Sequence, residues 1–153
     1  MRIFETLAIA GSVGLLVTPA AAATTTYVAH LHPVNAKVTG LQTKGEARFT
    51  INGDKLTIRI DATGLPPSMM HLQHFHGFKD NRQATCATQA ADVNGDGIID
   101  LIETEPMSGT TMVPFQGNPV NMKIVTDTYP TASADGSYHY KKTVSLSALK
   151  AAF

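Results

Sequence analysis

The stretch ARFTINGDKLTIRIDA, residues 47–62, decides the fold that the sequence predicts. Apolar side chains alternate with polar ones on both sides of Asn52-Gly53-Asp54, and this period of two places alternate side chains on one face of a strand. A glycine-containing turn between two such runs is typical of a β-hairpin. The sequence therefore predicts an antiparallel hairpin with one face turned towards a core.

Further strands are predicted on both sides of the hairpin. Runs that favour extended structure lie at residues 25–31, 69–76, 111–115, 120–126 and 138–146. Residues 77–110 lack strand periodicity and form one long connection, and a short helix is predicted at 148–152 with Ser147 as its N-cap. Six or seven short strands with little helix predict an all-β fold, a Greek-key-like β-sandwich with one long loop.

The first 23 residues are predicted to be a secretory signal peptide. Arg2 precedes an apolar run at residues 7–17, and Pro19 and four alanines follow. A basic start, a short apolar core and an Ala-x-Ala cleavage site mark such a signal, whereas the alternative, a membrane anchor, needs a longer apolar run. Residues 24–153 are then a single β-sandwich domain that is periplasmic or secreted, with no membrane partner once the signal is removed.

Charge and cysteine content narrow the possible partners. The net charge is zero, which gives no indication of a nucleic-acid partner, and nothing in the sequence identifies a protein partner. Residues 92–105 nevertheless carry five acidic residues and no basic one, so a bound cation would relieve their repulsion. The single cysteine, Cys86, excludes an intramolecular disulfide. It is compatible with a free thiol, a soft metal ligand, an intermolecular link or a small apolar residue.

Histidines are concentrated just after the hairpin, where His71, His74 and His76 fall within six residues. Because alternate side chains of a strand share a face, His74 and His76 are predicted to point at one metal ion. Neutral imidazole commonly binds copper and zinc, so the sequence predicts a copper site with zinc as the alternative. His30 and His32 alternate in the first strand and are candidates for the same ion. The competing interpretation is that these histidines only bond to the backbone.

The acidic segment matches the twelve-residue calcium loop of an EF-hand. Such a loop places oxygen donors at positions 1, 3, 5, 7, 9 and 12, a glycine at position 6 and an apolar residue at position 8 that ties it to a core. Residues 92–103 have Gly97 and Ile99 at positions 6 and 8. The predicted calcium ligands are Asp92, Asn94, Asp96, the carbonyl of Ile98, Asp100 and Glu103. Because Pro106 is expected to end any following helix, the loop is interpreted as a structural calcium site. The alternative is a turn without an ion.

The histidine segment resembles that of the copper–zinc superoxide dismutases. Residues 64–67, Gly-Leu-Pro-Pro, precede the pattern His-x-x-His-x-His. The resemblance implies that His74 and His76 bind copper and that His71 is structural. It also implies that His139, in a late strand, is the last copper ligand. Residues 25–77 are similar in pattern to the chordin-type (CHRD) domain as well, with its strand, hairpin, Gly-Leu and His-x-His.

The second half of the chain departs from the dismutase pattern. The zinc loop and bridging histidine are missing, since no histidine lies between Gly77 and Tyr138, and no arginine follows Arg82. The first hypothesis is therefore an exported metal-binding protein with copper or zinc on histidines and calcium on the loop. The second is a copper-only dismutase-like oxidoreductase, so whether the protein is an enzyme stays open. The third is a chordin-type structural or adhesion module that binds calcium alone.

Overall fold

The structure is a computed structural model that describes residues 23–153. The predicted signal peptide, residues 1–23, lies outside the described residues except for its last position. Regular structure in the described part is mostly antiparallel strand with a few short helices, so the prediction of a mainly β fold is confirmed. Within residues 23–153, none of the helices has the length and hydrophobicity that a bilayer crossing would need.

Six strands occur in the described chain. In order they are β1 (Thr24–Leu31), β2 (Lys44–Asn52), β3 (Lys55–Thr63), β4 (His74–Gly77), β5 (Thr110–Pro114) and β6 (Tyr138–Ser145). Strands β1, β2, β3 and β6 form one antiparallel sheet in that order, and β4 pairs with β5 in a second antiparallel sheet. The chain therefore leaves the first sheet after β3, builds the second sheet and returns with β6.

Strands β2 and β3 are the hairpin that the sequence predicts. Ala47 lies opposite Ile60, and Gly53 in the turn has a φ of +57°, which glycine adopts without steric cost. The apolar residues of both arms share one face, and Ile58 at its centre has no exposed surface. Truncating a fully buried side chain of this kind typically costs about 2–5 kcal/mol of stability.

The core joins the hairpin to the second sheet through aromatic rings. The ring centroids of Phe49 in β2 and Phe75 in β4 are 4.9 Å apart, and those of Phe75 and Phe115 are 4.6 Å apart. Phe49 and Phe75 are partly buried and pack against the buried core residues, which are Ala47, Leu56, Ile58, Ile60, Phe115, Ala132, Tyr138, Tyr140 and Leu149. Packed aromatic pairs of this kind stabilise the folded state by about 0.5–1.5 kcal/mol beyond the contribution of the area they bury. Phe75 thus fixes β4 against the larger sheet.

Three short α-helices are present in the described residues: α1 (Ala36–Thr39), α2 (Leu101–Ser108) and α3 (Leu146–Ala152). The predicted cap of the last helix was wrong by two residues. Ser145 is the N-cap, since its Oγ accepts from the N–H of Ala148 at 3.0 Å. Ser147 instead donates its backbone N–H to Asp54 at 2.8 Å. The carboxylate of Asp54 therefore ties the hairpin turn to α3.

The expectation that Pro106 ends the second helix early was also wrong, because α2 continues to Ser108. The N–H of Gly109 donates to the carbonyl of Glu105 at 2.9 Å and closes the last turn. A proline removes one helical hydrogen bond, and the remaining turns of α2 tolerate that loss.

The strand predicted at 69–76 is shorter than expected, because only its end belongs to β4. Residues 68–71 instead make backbone hydrogen bonds with residues 130–133, including Ala132 N–H to the carbonyl of Met69 at 2.8 Å. These bonds hold the segment that leads into the histidines but do not extend the second sheet.

The prediction of a strand at residues 120–126 was wrong. Short 3₁₀ turns at Pro119–Asn121 and Thr126–Thr128 occupy this region. The cause is the fully buried side chain of Gln116, whose amide donates to the carbonyls of Asn118 and Lys123, both at 3.0 Å. These side-chain bonds curl the backbone and compete with strand pairing.

Candidate metal sites

Residues 92–103 form a tight loop in which side-chain oxygens accept from backbone N–H groups. Asp92 accepts from Gly95 at 2.8 Å and from Gly97 at 2.9 Å. Asn94 and Asp96 each accept from the N–H two residues ahead at 2.8 Å. Gly97 has a φ of +83°, so the chain turns sharply at the glycine that the calcium-loop pattern predicts.

Glu103, the predicted ligand at position 12, reaches back across this loop. Its side chain is nearly buried, with the residue 8 % exposed, and its Oε1 accepts from the N–H groups of Val93 at 3.0 Å and Asn94 at 3.3 Å. It also forms a capping box with Asp100, the N-cap of α2. A buried carboxylate is costly unless it is hydrogen-bonded or bound to a cation. Glu103 therefore holds the two ends of the loop together.

Asn35, which precedes α1, fixes the middle of the loop. Its Nδ2 donates to the carbonyl of Ile99 at 3.0 Å, and its Oδ1 accepts from the N–H of Ile99 at 2.9 Å. One side-chain amide thus makes the two backbone bonds that a neighbouring strand would make. Ile99 is 6 % exposed, so the burial predicted for loop position 8 is confirmed.

The loop has the shape of a calcium loop, but its carboxylates are not grouped around one point. Among residues 23–153, no three His, Cys, Asp or Glu side chains form a group that could hold a metal ion. Calcium also takes amide and carbonyl oxygens, which Asn94 and Ile98 offer in this loop. The loop therefore contains the donor types that calcium needs, and calcium binding by residues 92–103 stays a prediction.

His74 and His76 line one open pocket at β4, and we call these two residues the histidine pair. Their ring centroids are 5.5 Å apart. The register of β4 against β5 shifts between Phe75 and His76, because Met112 of β5 is an extra residue without a partner in β4. Phe75 packs on Phe49 and Phe115, and the two histidines on either side of it line the pocket. We call this cavity the histidine pocket.

The end of α2 holds one ring of the histidine pair. Nδ1 of His76 lies 3.1 Å from the carbonyl oxygen of Gly109, the C-cap of α2. A carbonyl can only accept, so Nδ1 is the donor, and in the neutral ring Nε2 keeps its lone pair. Burial, and then the proximity of His76, lower the pKa of His74 below its ordinary value. The lowered pKa favours the uncharged ring of His74, the form in which imidazole binds metals.

Two further segments complete the histidine pocket. Thr104 and Ser108 of α2 form one wall, and residues 84–87, which include Cys86, form another. Cys86 is exposed, and its thiol adds a soft donor to the two imidazoles. Sequence reasoning left the role of Cys86 open and did not place it beside the histidine pair, because no local pattern links the two segments.

His71 lies outside the histidine pocket and packs on the core. Its ring meets that of Tyr138 edge-on, with centroids 5.6 Å apart, and its backbone N–H donates to the carbonyl of Pro130 at 3.1 Å. Its Nε2 is buried and has no hydrogen-bond partner among the described residues. This is the environment of a packing residue.

The other candidate histidines belong to the four-stranded sheet or its edge. His30 lies opposite Glu46 in the sheet, with Nδ1 and Oε2 3.9 Å apart. His139 lies opposite Asp61 and bonds to its carboxylate through Nδ1. His32 follows the end of β1 and is exposed. The structure does not bring these three residues to the histidine pair.

A scan of the chain against protein-family models gives no match, and searches of curated proteins and of solved structures give none either. The likeness to the dismutases and to the chordin-type domain therefore rests on the residues of the histidine segment.

Proposed function

We propose that the protein is an exported metal-binding protein that holds copper, or zinc, at the histidine pair and calcium in residues 92–103. The observation that carries the proposal is the contact of 3.1 Å between Nδ1 of His76 and the carbonyl of Gly109. Gly109 is the C-cap of α2, and α2 begins within residues 92–103, at Leu101. One eight-residue helix thus connects the two candidate sites.

The chemistry of the histidine pocket supports a transition metal. A histidine that binds a metal almost always donates its other ring N–H to a carbonyl, a carboxylate or water, which fixes the ring and its tautomer. His76 makes such a bond to Gly109. Copper and zinc both accept imidazole nitrogen, and the open pocket suits the metal exchange that storage, delivery or sensing requires.

The open pocket also favours a second candidate function, copper-dependent consumption of superoxide. Redox chemistry at copper needs a coordination position that the protein leaves free. The histidine pocket provides access of that kind at the surface beside β4. Superoxide consumption by the copper-loaded protein, compared with the same concentration of free copper, separates this candidate from simple binding.

In the proposed calcium site, the ion has a structural role. The five acidic residues of segment 92–105 repel one another, and a divalent cation would offset that repulsion. Binding that is specific for the folded chain adds about 2.7 kcal/mol of stability at a concentration of one hundred times Kd. Calcium would thereby stiffen the loop, α2 and the wall of the histidine pocket that α2 forms.

The proposal includes the finer description of the fold and the location of the protein. We infer a Greek-key-like β-sandwich, supported by the packing of Phe49 on Phe75 between the two sheets and by the return of the chain to β6 after β4 and β5. Export after cleavage of residues 1–23 rests on the sequence of that segment. It would place the protein in the periplasm or outside the cell, where calcium is available.

Paired variants test the two sites separately. The double variant His74→Gln, His76→Gln should lose copper binding, measured by competition with a chromophoric chelator, and should keep calcium binding, measured by calorimetry. Glu103→Gln should lose calcium binding and keep copper binding. The control His139→Gln should keep both. Circular dichroism reports whether each variant is folded.

The outcomes separate the hypotheses. Copper binding that is unchanged in the double histidine variant would refute the histidine site. Calcium binding that is unchanged in Glu103→Gln would refute the loop site. A protein that binds calcium but no copper or zinc would instead be a structural module of the chordin type.

A further inference from the structure

We propose that Cys86 is the third protein ligand of the transition metal, completing a site of two imidazole nitrogens and one thiolate with His74 and His76. The inference rests on the proposed metal site at the histidine pair and deepens it. It begins from the observation that all three side chains line the same pocket, although Cys86 belongs to a different segment of the chain.

The end of α2 anchors both halves of this donor set. The carbonyl of Met107 accepts the N–H of Thr85 at 2.8 Å, and this bond fixes the backbone directly beside Cys86. Two residues later, the carbonyl of Gly109 accepts from Nδ1 of His76 at 3.1 Å. Two carbonyls at one helix end, those of Met107 and Gly109, therefore position the backbone beside the thiol and one histidine ring.

The surroundings of Cys86 leave it free to reach a metal. Two other residues of this pocket wall, Ala84 and Ala87, have short side chains. Residues 81–88 form neither helix nor strand, and the hydrogen bond from the N–H of Thr85 to the carbonyl of Met107 holds this segment to α2. No three donors among the described residues are yet grouped closely enough to ligate one ion. Binding would therefore draw the exposed thiol inward over the histidine pair.

The donor set indicates which metals the site would take. Thiolate is a soft ligand that selects cuprous copper and zinc, and imidazole suits both. On binding, the thiol proton leaves to solvent as the metal–sulfur bond forms, and no electron is transferred. The metal would also cover a thiol that is otherwise exposed and open to oxidation in an exported protein.

Cobalt(II) is the probe that distinguishes this site from a purely histidine site. The wild-type protein, reduced and titrated with Co²⁺ alone, should develop a thiolate-to-cobalt charge-transfer band in the near ultraviolet. Cys86→Ser should lose the band and bind Co²⁺ more weakly, by at least the roughly 10- to 100-fold that loss of an outer-shell partner costs. Thr88→Ser, a change beside the pocket wall, should bind like the wild type.

Alkylation of Cys86 supplies an independent readout. Co²⁺ or Zn²⁺ should slow the reaction of the thiol with iodoacetamide in the wild type and should not slow it in His74→Gln, His76→Gln. Circular dichroism establishes that each variant is folded, and the single variants His74→Gln and His76→Gln replace the double variant if it is not.

The results distinguish the failure of this inference from that of the histidine site. A wild-type Co²⁺ complex without the band, together with unchanged affinity in Cys86→Ser, would overturn the role of Cys86 and leave the histidine site intact. Retention of the band and of wild-type affinity in the histidine variants would mean that the thiol binds without the histidine pair, which overturns both proposals.

Discussion

Replacing Asn35 by alanine should weaken calcium binding at a loop whose residue Ile99 lies 64 residues further along the chain. Asn35 makes both of the bonds described above to the backbone of Ile99, one as donor and one as acceptor. Alanine removes both bonds and leaves a buried N–H and a buried carbonyl without their partner. The change touches none of the six predicted calcium ligands, so any effect on the ion must pass through the conformation of the loop.

The size of the effect follows from the two bonds. A neutral hydrogen bond contributes about 1 kcal/mol net, so the two together contribute about 2 kcal/mol. If this cost falls on the loop conformation that binds the ion, it corresponds to roughly a thirtyfold rise in the Kd for calcium. Incomplete replacement of the lost partners by water would increase the effect, since an unpaired buried polar group costs about 1–3 kcal/mol.

Calorimetric titration with Ca²⁺ measures this change directly. Lys37→Ala, an exposed change in the neighbouring helix α1, is the control and should bind calcium like the wild type. Asn35→Asp keeps an acceptor for the N–H of Ile99 but sets an oxygen against its carbonyl, so it should also weaken binding. A Kd in Asn35→Ala within threefold of the wild type would refute the claim that this amide holds the loop in its binding form.

The remaining predictions concern the C-terminal helix, the end of α2 and the link between the sites. Hydrogen bonds, chiefly from Ser145, lower the pKa of Asp54 below its ordinary value. The stability that Asp54 contributes above the ordinary carboxyl pKa should therefore be lost as the pH falls through its lower folded-state pKa. Urea unfolding should show this loss in the wild type and in Asp127→Asn but not in Asp54→Asn. Gly109→Ala would place Cβ 2.1 Å from a backbone oxygen of β4 at a φ of +75°. It should reduce the free energy of unfolding by more than about 2 kcal/mol, against about 1 kcal/mol for Gly40→Ala, where nothing lies within 4 Å. Saturating calcium should tighten copper binding by roughly fivefold or more, and copper should tighten calcium binding by the same factor. Copper affinity that is the same with and without saturating calcium would show that α2 does not couple the sites.

The elements that sequence reasoning predicted well are those whose signals are local. The hairpin at residues 47–62 carries its alternation and its turn within sixteen residues, and the structure has both, with Gly53 at the turn. The sharp turn at Gly97 is local in the same sense. Strands β1, β5 and β6 also lie within a residue of the predicted bounds, because each is an uninterrupted extended run.

What the sequence did not predict depends on contacts between distant segments. Residues 120–126 alternate like a strand, but the buried amide of Gln116 binds their backbone and curls it. The link from Asn35 to Ile99 and the position of Cys86 beside the histidine pair both depend on how separate segments pack together. A single asparagine or cysteine carries no periodic signal, so only the tertiary arrangement shows what it contacts.

The most direct test of the central claim is the metal content of the purified protein, counted per chain by elemental mass spectrometry after exposure to copper, zinc and calcium and removal of the excess. The claim predicts one equivalent of calcium and one of copper or zinc. The second equivalent should disappear selectively when His74 and His76 are replaced by glutamine. Folded wild-type protein that retains neither metal, or a copper content that the histidine replacements do not change, would contradict it.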